Sequence, residues 1–206
     1  KPAVANHYTL LLLSFKAELV YVSRENYKNK EKVLEYVPFD KAATLILPEG
    51  GAHPLAHKGC SELIKGLNNE YDAIFVASGT GTTALGMLKE LNSNDLKSHL
   101  YIVPVLKNEV EIEVLCEGYS NFTVVRDAQL GSYAKTNSEV FETIDNALSH
   151  SGILLDPVYT AKCYLAMQDW IKENNIMNQK VLMIHTGGQL GLFSDVMLKK
   201  WSESKA

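Results

Sequence analysis

Between Ala73 and Met87 the chain reads Ala-Ile-Phe-Val-Ala-Ser-Gly-Thr-Gly-Thr-Thr-Ala-Leu-Gly-Met, an apolar strand that runs straight into a Gly/Thr loop and then a helix. Strand followed by helix recurs along the chain, the pattern of an α/β fold with a largely parallel sheet. Open sheets of that kind place ligands in the loops that follow the carboxyl ends of their strands. The loop Ser78 to Thr83 is such a loop. Its glycines let the backbone fold back so that successive N–H groups face one anion, the helix start adds partial positive charge, and the threonine hydroxyls add donors.

Three phosphate cradles compete for this loop. A nucleoside-triphosphate loop requires Lys-Ser/Thr after its second glycine, but Gly81 is followed by Thr82-Thr83 and no lysine comes before Lys89. Gly79, Gly81 and Ala84 match the dinucleotide fingerprint, which also requires an acid after the next strand to hold a ribose. That strand, Leu100 to Leu106, leads into Lys107-Asn108 with no carboxylate at its tip. A cofactor with one phosphate and no ribose, such as pyridoxal phosphate, suits both what is present and what is absent. A strand-to-helix turn without a ligand is the plainer alternative.

The remaining composition narrows the field. The 206 residues are 46% hydrophobic and 21% charged with a net charge of -4 and a pI near 5.9, ordinary for a globular chain and without the basic footprint of a nucleic-acid binder. Cys60, Cys116 and Cys163 are scattered with no C-x-x-C pair, which suggests neither a zinc site nor a disulfide framework and points to a reducing, cytoplasmic setting. No apolar run is long enough to span a bilayer, and no secretory signal is legible at the start. The chain opens on Lys1-Pro2 rather than methionine.

The expected elements run as follows. A short helix spans His7 to Phe15, then a strand Glu18 to Val22 that needs neighbours to pair with. A charged helix from Arg24 to Tyr36 carries Glu25, Lys28, Lys30, Glu31, Lys32 and Glu35, a pattern of a solvated face. A strand Ala43 to Leu47 ends at the turn Pro48-Glu49-Gly50-Gly51, a helix runs from Leu55 to Asn68, and the strand Ala73 to Ala77 leads to the phosphate loop. Next come a strand Tyr101 to Val105, a Val/Glu-alternating stretch near Val110 to Leu115, a strand Asn121 to Val125, the loop Gly131-Ser132-Tyr133 and a helix Ser138 to Ser149. Leu155 to Thr160, a helix to Glu173 and a strand Val181 to His185, stopping at Thr186-Gly187-Gly188, follow.

Four of these loops, in order and spacing, carry a resemblance: Pro48-Glu-Gly-Gly-Ala-His-Pro-Leu55, Ser78-Gly-Thr-Gly-Thr-Thr83, Leu155-Asp-Pro-Val-Tyr-Thr-Ala-Lys162 and Ile184-His-Thr-Gly-Gly188. Together they resemble the pyridoxal-phosphate enzymes of the D-cysteine desulfhydrase and 1-aminocyclopropane-1-carboxylate (ACC) deaminase family, and Phe15 to Tyr27 resembles its shorter bacterial members. The resemblance implies a tryptophan-synthase-like, type II pyridoxal-phosphate fold: a three-layer α/β/α architecture with an open, mostly parallel sheet. Residues 1–38 would be a remnant of the smaller α/β domain and 39–206 the larger cofactor-binding domain. It also implies a homodimer acting on a small amino acid, without nucleic acid or membrane, as a lyase or, for the deaminase, a hydrolase.

Carried over position by position, Gly79, Thr80, Gly81, Thr82 and Thr83 form the phosphate cup. Tyr133 and Tyr159, 26 positions apart as in the family, match two tyrosines that approach the substrate, and Thr160 and Thr186 match positions beside the pyridine ring. The deaminase pattern has glutamate and leucine at those two positions, whereas the desulfhydrase pattern has small hydroxyl residues. A carboxylate at the ring nitrogen makes a strong electron sink, suited to opening a cyclopropane; a neutral hydroxyl makes a weaker one, sufficient to expel thiolate. The expectation is therefore β-elimination from D-cysteine to sulfide, ammonia and pyruvate, with ACC deamination as the alternative. Packing for the tyrosines and helix capping for the threonines are the plainer readings. His185 reads as a satisfied core histidine, His53 and His57 lack a third metal ligand, and Glu49 and Asp156 read as turn and cap residues.

The departure from the family is a missing lysine. Its members hold the cofactor through a lysine in a Gly-Asn-Lys context, followed by a Ser-Asn-His segment, and this chain contains neither; Asn29-Lys30 and Ala5-Asn6-His7 are coincidences. Either the residues belong to a longer enzyme, or the chain is a short binding module for the cofactor or an amino acid without catalysis. A nicotinamide-dependent enzyme using the Gly79 loop is an outside reading.

Overall fold

The computed structural model describes residues 6–29, 33–36, 40, 42–67, 69–128, 130 and 133–205. Ala5, Lys30 to Lys32, the 38/39 boundary, Asn68 and Gly131-Ser132, all invoked above, lie outside the described residues. The chain divides into two compact units, Lys1–Leu47 and Pro48–Ala206.

In the first unit α1 (His7–Ser14) begins where the Asn6 side chain accepts from the Thr9 N–H at 2.9 Å, and α2 (Arg24–Lys28) is capped in the same way by Ser23. A short 3-10 turn covers Leu34–Tyr36. The strands expected at Glu18 to Val22 and Ala43 to Leu47 are not formed. Neither segment pairs with a strand among the described residues, and an extended segment without a partner strand is not a stable one. The charged helix expected from Arg24 to Tyr36 is interrupted at Asn29, which leaves helical geometry with φ −101 and ψ 92, and Val33 is helical again.

The second unit is built on a four-stranded sheet of β1 (Ala73–Ser78), β2 (His99–Pro104), β3 (Phe122–Val124) and β4 (Val181–Ile184), in the order β3-β2-β1-β4 with every pair parallel. Ala73 lies opposite both His99 and Val181, so β1 is flanked on each side and all six of its residues are buried. Successive side chains of a strand point to opposite faces. Ile74 and Val76 pack with Leu100 and Ile102 against α4 (Thr82–Ser93) and α5 (Glu109–Leu115) through Met87, Leu88, Leu91 and Ile112. Ala73, Phe75 and Ala77 pack with Cys163 of α7 (Thr160–Glu173) on the other face. There Phe75 stacks on Tyr101 at 4.6 Å and meets the edge of Trp170 at 5.5 Å. Each fully buried large side chain of this kind contributes about 1.5–3 kcal/mol. A three-layer α/β/α sandwich results.

Connection handedness explains which helix lies where. The path β1, α4, β2, α5, β3 steps one way across the sheet, and the path through α6 (Ser138–Ser151) and α7 returns to β4 on the far side of β1. Right-handed crossovers travelling in opposite directions put their helices on opposite faces. The strand order therefore reverses between β1 and β4, and a crevice opens above their carboxyl ends. Gly86 lets α3 (Pro54–Ser61) approach α4, since a β-carbon there would lie 2.7 Å from the His57 carbonyl oxygen. The Val/Glu alternation at Val110 to Leu115 is helical: Ile112 is buried while Val110 and Val114 are exposed. The closing helix α8 (Asp195–Glu203) has no counterpart among the sequence-based expectations, although Ser194 before Asp195 is an N-cap signal and does accept from the Met197 N–H.

Candidate active site

The crevice above β1 and β4 is a cleft of about 690 Å³. Its floor is the end of β1, where Ala77 and Ser78 give way to Gly79, Thr80 and Gly81. Gly81 is the N-cap of α4 with φ +85, a conformation that favours glycine, and a β-carbon there would also press on Leu115 at 2.5 Å. No side chain caps α4, and its first turn contains no acidic residue. The N–H groups of the first helical turn have no intrahelical partners, so this end is left open to an anion.

Neighbouring segments brace the loop. The Asn108 Nδ2 donates to the Gly79 carbonyl at 2.7 Å, and the hydroxyls of Thr80 and Thr82 bond to each other at 2.9 Å. Gly50, with φ +65, lies so close that a β-carbon would sit 2.6 Å from Cγ2 of Thr80. The Pro48 to Gly51 turn is thus shaped to lie against the loop. The Ser78 Oγ, on a residue only 3% exposed, has no hydrogen-bond partner among the described residues.

The second wall comes from the segment before α7. Asp156 is buried, and its carboxylate accepts from the N–H groups of Val158, Tyr159 and Thr160 and from the Thr160 hydroxyl, at 2.8 to 2.9 Å. A carboxylate at a helix start satisfies orphan donors and the helix dipole together. The arrangement aims the Tyr159 ring at the loop, where a β-carbon on Gly79 would lie 3.6 Å from the Tyr159 hydroxyl. Tyr133, half-exposed, meets Tyr159 edge-on at 6.5 Å. Burial, with a hydrogen bond from the Tyr159 hydroxyl to Tyr133 and the charges of Tyr133 and Asp156 adding to it, pushes the Tyr159 phenol up to about 12.

The third wall follows β4. Thr186 and Gly187-Gly188 line the cleft. His185 beside them is used up structurally: its Nε2 donates to the Leu154 carbonyl at 3.0 Å and its Nδ1 accepts from the Gly187 N–H at 3.2 Å. Gly188, at φ +92, abuts the Asp156 carboxylate, where a β-carbon would sit 2.9 Å from Oδ2.

Of the residues singled out in the sequence, Gly79, Thr80, Gly81, Thr82, Thr83, Tyr133, Tyr159 and Thr186 all line this one cleft. Thr160 does not. It is fully buried and its hydroxyl is committed to Asp156, donating to Oδ2 while accepting from the Asp156 N–H at 2.7 Å. Among the described residues no lysine lines the cleft, and no group of three His, Cys, Asp or Glu side chains could hold a metal. His53 instead caps α3, accepting from the Leu55 N–H, and His57 meets Lys89, with burial first and the Lys89 charge second lowering its pKa. Leu106 also lines the cleft, and Asn108 braces the loop from behind; neither was expected in a site role. Asn108 follows the end of β2, the kind of position where α/β sheets keep ligand loops.

A phosphate-bearing group fits what is present. The uncapped helix and the hydroxyls of the loop supply donors, and Thr186, Tyr133 and Tyr159 line the same cleft, whose rim also carries Glu49.

No protein-family model matches the sequence. A Thermotoga maritima relative named for 1-aminocyclopropane-1-carboxylate deaminase is 31% identical over 93% of this chain and 68% of its own length. An Arabidopsis thaliana relative named as a bifunctional, mitochondrial D-cysteine desulfhydrase/1-aminocyclopropane-1-carboxylate deaminase is 27% identical over 76% of this chain and 46% of its own. A crystal structure described as that of an ACC deaminase homologue matches with a TM-score of 0.75 over 95% of this chain and 66% of the other, at 24% identity, a likeness of fold. The chain spans only 58% to 60% of the length of three Pyrococcus relatives. No helix among the described residues is long and apolar enough to cross a membrane.

Proposed function

Because the chain belongs to the family of ACC deaminase and D-cysteine desulfhydrase, we propose that its cleft is the phosphate- and substrate-facing part of a pyridoxal-phosphate site for β-elimination from D-cysteine. The observation that carries this is the convergence of the uncapped Gly79 to Thr83 loop, the Tyr133 and Tyr159 pair and Thr186 on one cleft at the sheet's switch point. Pyridoxal phosphate, when bound, withdraws electrons from a substrate's α-carbon, so that a proton can leave there and a group at the β-carbon can be expelled.

The protein's own residues then have separable tasks. Gly79 to Thr83 hold the phosphate through backbone N–H groups and hydroxyls. Thr186 sets a neutral hydroxyl, rather than a hydrocarbon, beside the ring. Tyr159, whose phenol stays protonated well above neutral pH, acts as a hydrogen-bond donor toward the substrate. Asp156 fixes the Tyr159 backbone and stays clear of the reacting atoms. The overall change, D-cysteine plus water to pyruvate, hydrogen sulfide and ammonia, is balanced without a redox partner. The lysine that attaches the cofactor in the family would come from residues beyond this cleft's lining.

The Thr160 part of the desulfhydrase reading is weaker than the Thr186 part, since the Thr160 hydroxyl is engaged with Asp156. A homodimer in a reducing compartment such as the cytoplasm suits the free Cys60, Cys116 and Cys163. The test is an assay of the whole protein for sulfide and keto acid with D-cysteine, L-cysteine, D-serine and ACC. Sulfide and pyruvate from D-cysteine are expected. Turnover of ACC alone transfers the protein to the deaminase reading, and turnover of none with cofactor bound favours a binding module.

A further inference from the structure

The loop and the strand end beneath it contain four hydroxyls, and three are engaged. Thr80 and Thr82 bond to each other at 2.9 Å, and Thr83 faces the Cys60 sulfur at 4.0 Å. The fourth, Ser78 Oγ, lies on a residue 3% exposed, lines the cleft, and has no partner among the described residues. Leaving a buried hydroxyl unsatisfied destabilises a fold, and a small apolar side chain of nearly the same volume avoids that cost. The other five residues of β1 are apolar, so Ser78 is the strand's one hydroxyl. The same hydroxyl sits one residue before Gly79, below the uncapped amino end of the twelve-residue helix α4. An anion held there by the helix N–H groups would present an acceptor to this buried donor.

We propose that Ser78 is a further ligand of the phosphate, its buried hydroxyl donating to a phosphate oxygen when the group is bound. This rests on the reading of the cleft as a pyridoxal-phosphate site. A hydroxyl of this kind trades stability of the empty protein for affinity. Removing it has opposite effects on the two states, whereas a purely structural serine would weaken both.

The experiment compares the whole protein with Ser78→Ala and Ser78→Cys, the latter keeping the size with a poor donor. Each is stripped of cofactor, melted, and titrated with pyridoxal 5′-phosphate and with inorganic phosphate. The expected result is that both variants bind both probes roughly tenfold or more weakly, the scale of one hydrogen bond to a charged group, while empty Ser78→Ala melts roughly 2–6 °C higher. Unchanged affinity in both variants overturns the inference and leaves the cofactor reading standing. A lower melting point of empty Ser78→Ala also overturns it, by showing that the hydroxyl supports the fold. If the unaltered protein binds neither probe, the cofactor reading fails and the inference fails with it.

Discussion

Gly187 and Gly188 offer a matched pair of perturbations at the wall of the cleft. Both have positive φ, +90 and +92, so alanine at either position is forced into a conformation that costs on the order of 1–3 kcal/mol. Their surroundings differ. A β-carbon on Gly187 would meet nothing closer than the Gln189 Oε1 at 3.9 Å, while one on Gly188 would lie 2.9 Å from Oδ2 and 3.0 Å from Cγ of Asp156. That carboxylate cannot swing aside freely, because it is buried and holds the N–H groups of Val158, Tyr159 and Thr160 and the Thr160 hydroxyl. Displacing it by about half an ångström weakens at least one hydrogen bond to a charged acceptor, roughly a further 1.5–3 kcal/mol. For a protein of this size each kcal/mol lowers the melting temperature by roughly 2–4 °C. Gly187→Ala should therefore fall by roughly 2–12 °C, and Gly188→Ala by a further 3–12 °C or so. Thermal unfolding of the two variants side by side reads the difference. Equal losses would refute the Gly188–Asp156 contact as a structural link between the two walls.

Tyr159 should ionise near 12, seen as a step present in the ultraviolet titration of the unaltered protein and missing in Tyr159→Phe; a step near the ordinary value of 10 contradicts the burial argument. The sign for stability follows: the folded-state value is raised, so the protonated phenol favours the fold below pH 10 and that contribution is lost as pH rises from 10 to about 12. Thr186→Leu should lower D-cysteine elimination by roughly tenfold or more through loss of a polar contact beside the ring, with little change in melting temperature, since Thr186 is exposed at the cleft. Undiminished sulfide release by that variant removes Thr186 from its assigned place.

The parts that were legible in the sequence are those where local pattern and tertiary structure agree. The apolar run at Ala73, the glycines at 79 and 81 and the helix after them predict strand, turn and helix without reference to anything distant, and the structure forms all three. Tyr133, Tyr159 and Thr186 stand on three loops and were singled out by the family resemblance, and the crevice between β1 and β4 is the physical reason they line one cleft. Other features depended on partners that local pattern does not reveal. Glu18 to Val22 and Ala43 to Leu47 read as strands from residue type alone, but strand formation is decided by a neighbour. The Val/Glu alternation before Leu115 fits both periods over so short a stretch, and the buried Ile112 resolves it as a short helix with one face to the core. Thr160 shows the limit of transferring a position: it is next to Tyr159 in sequence, yet helix geometry turns it inward to Asp156. A glutamate there would set a second buried carboxylate against the first, so the swap toward the deaminase pattern is not available at this position without moving Asp156.

The central claim is that the amino end of α4 holds a phosphate. Measuring the affinity of the cofactor-free protein for pyridoxal 5′-phosphate against pyridoxal, which has the ring but lacks the phosphate, tests it most directly. Several charge-assisted hydrogen bonds at the loop should make the phosphate-bearing compound bind at least about 100-fold more tightly. Equal affinities would contradict the account, because the loop would then contribute nothing to holding the cofactor.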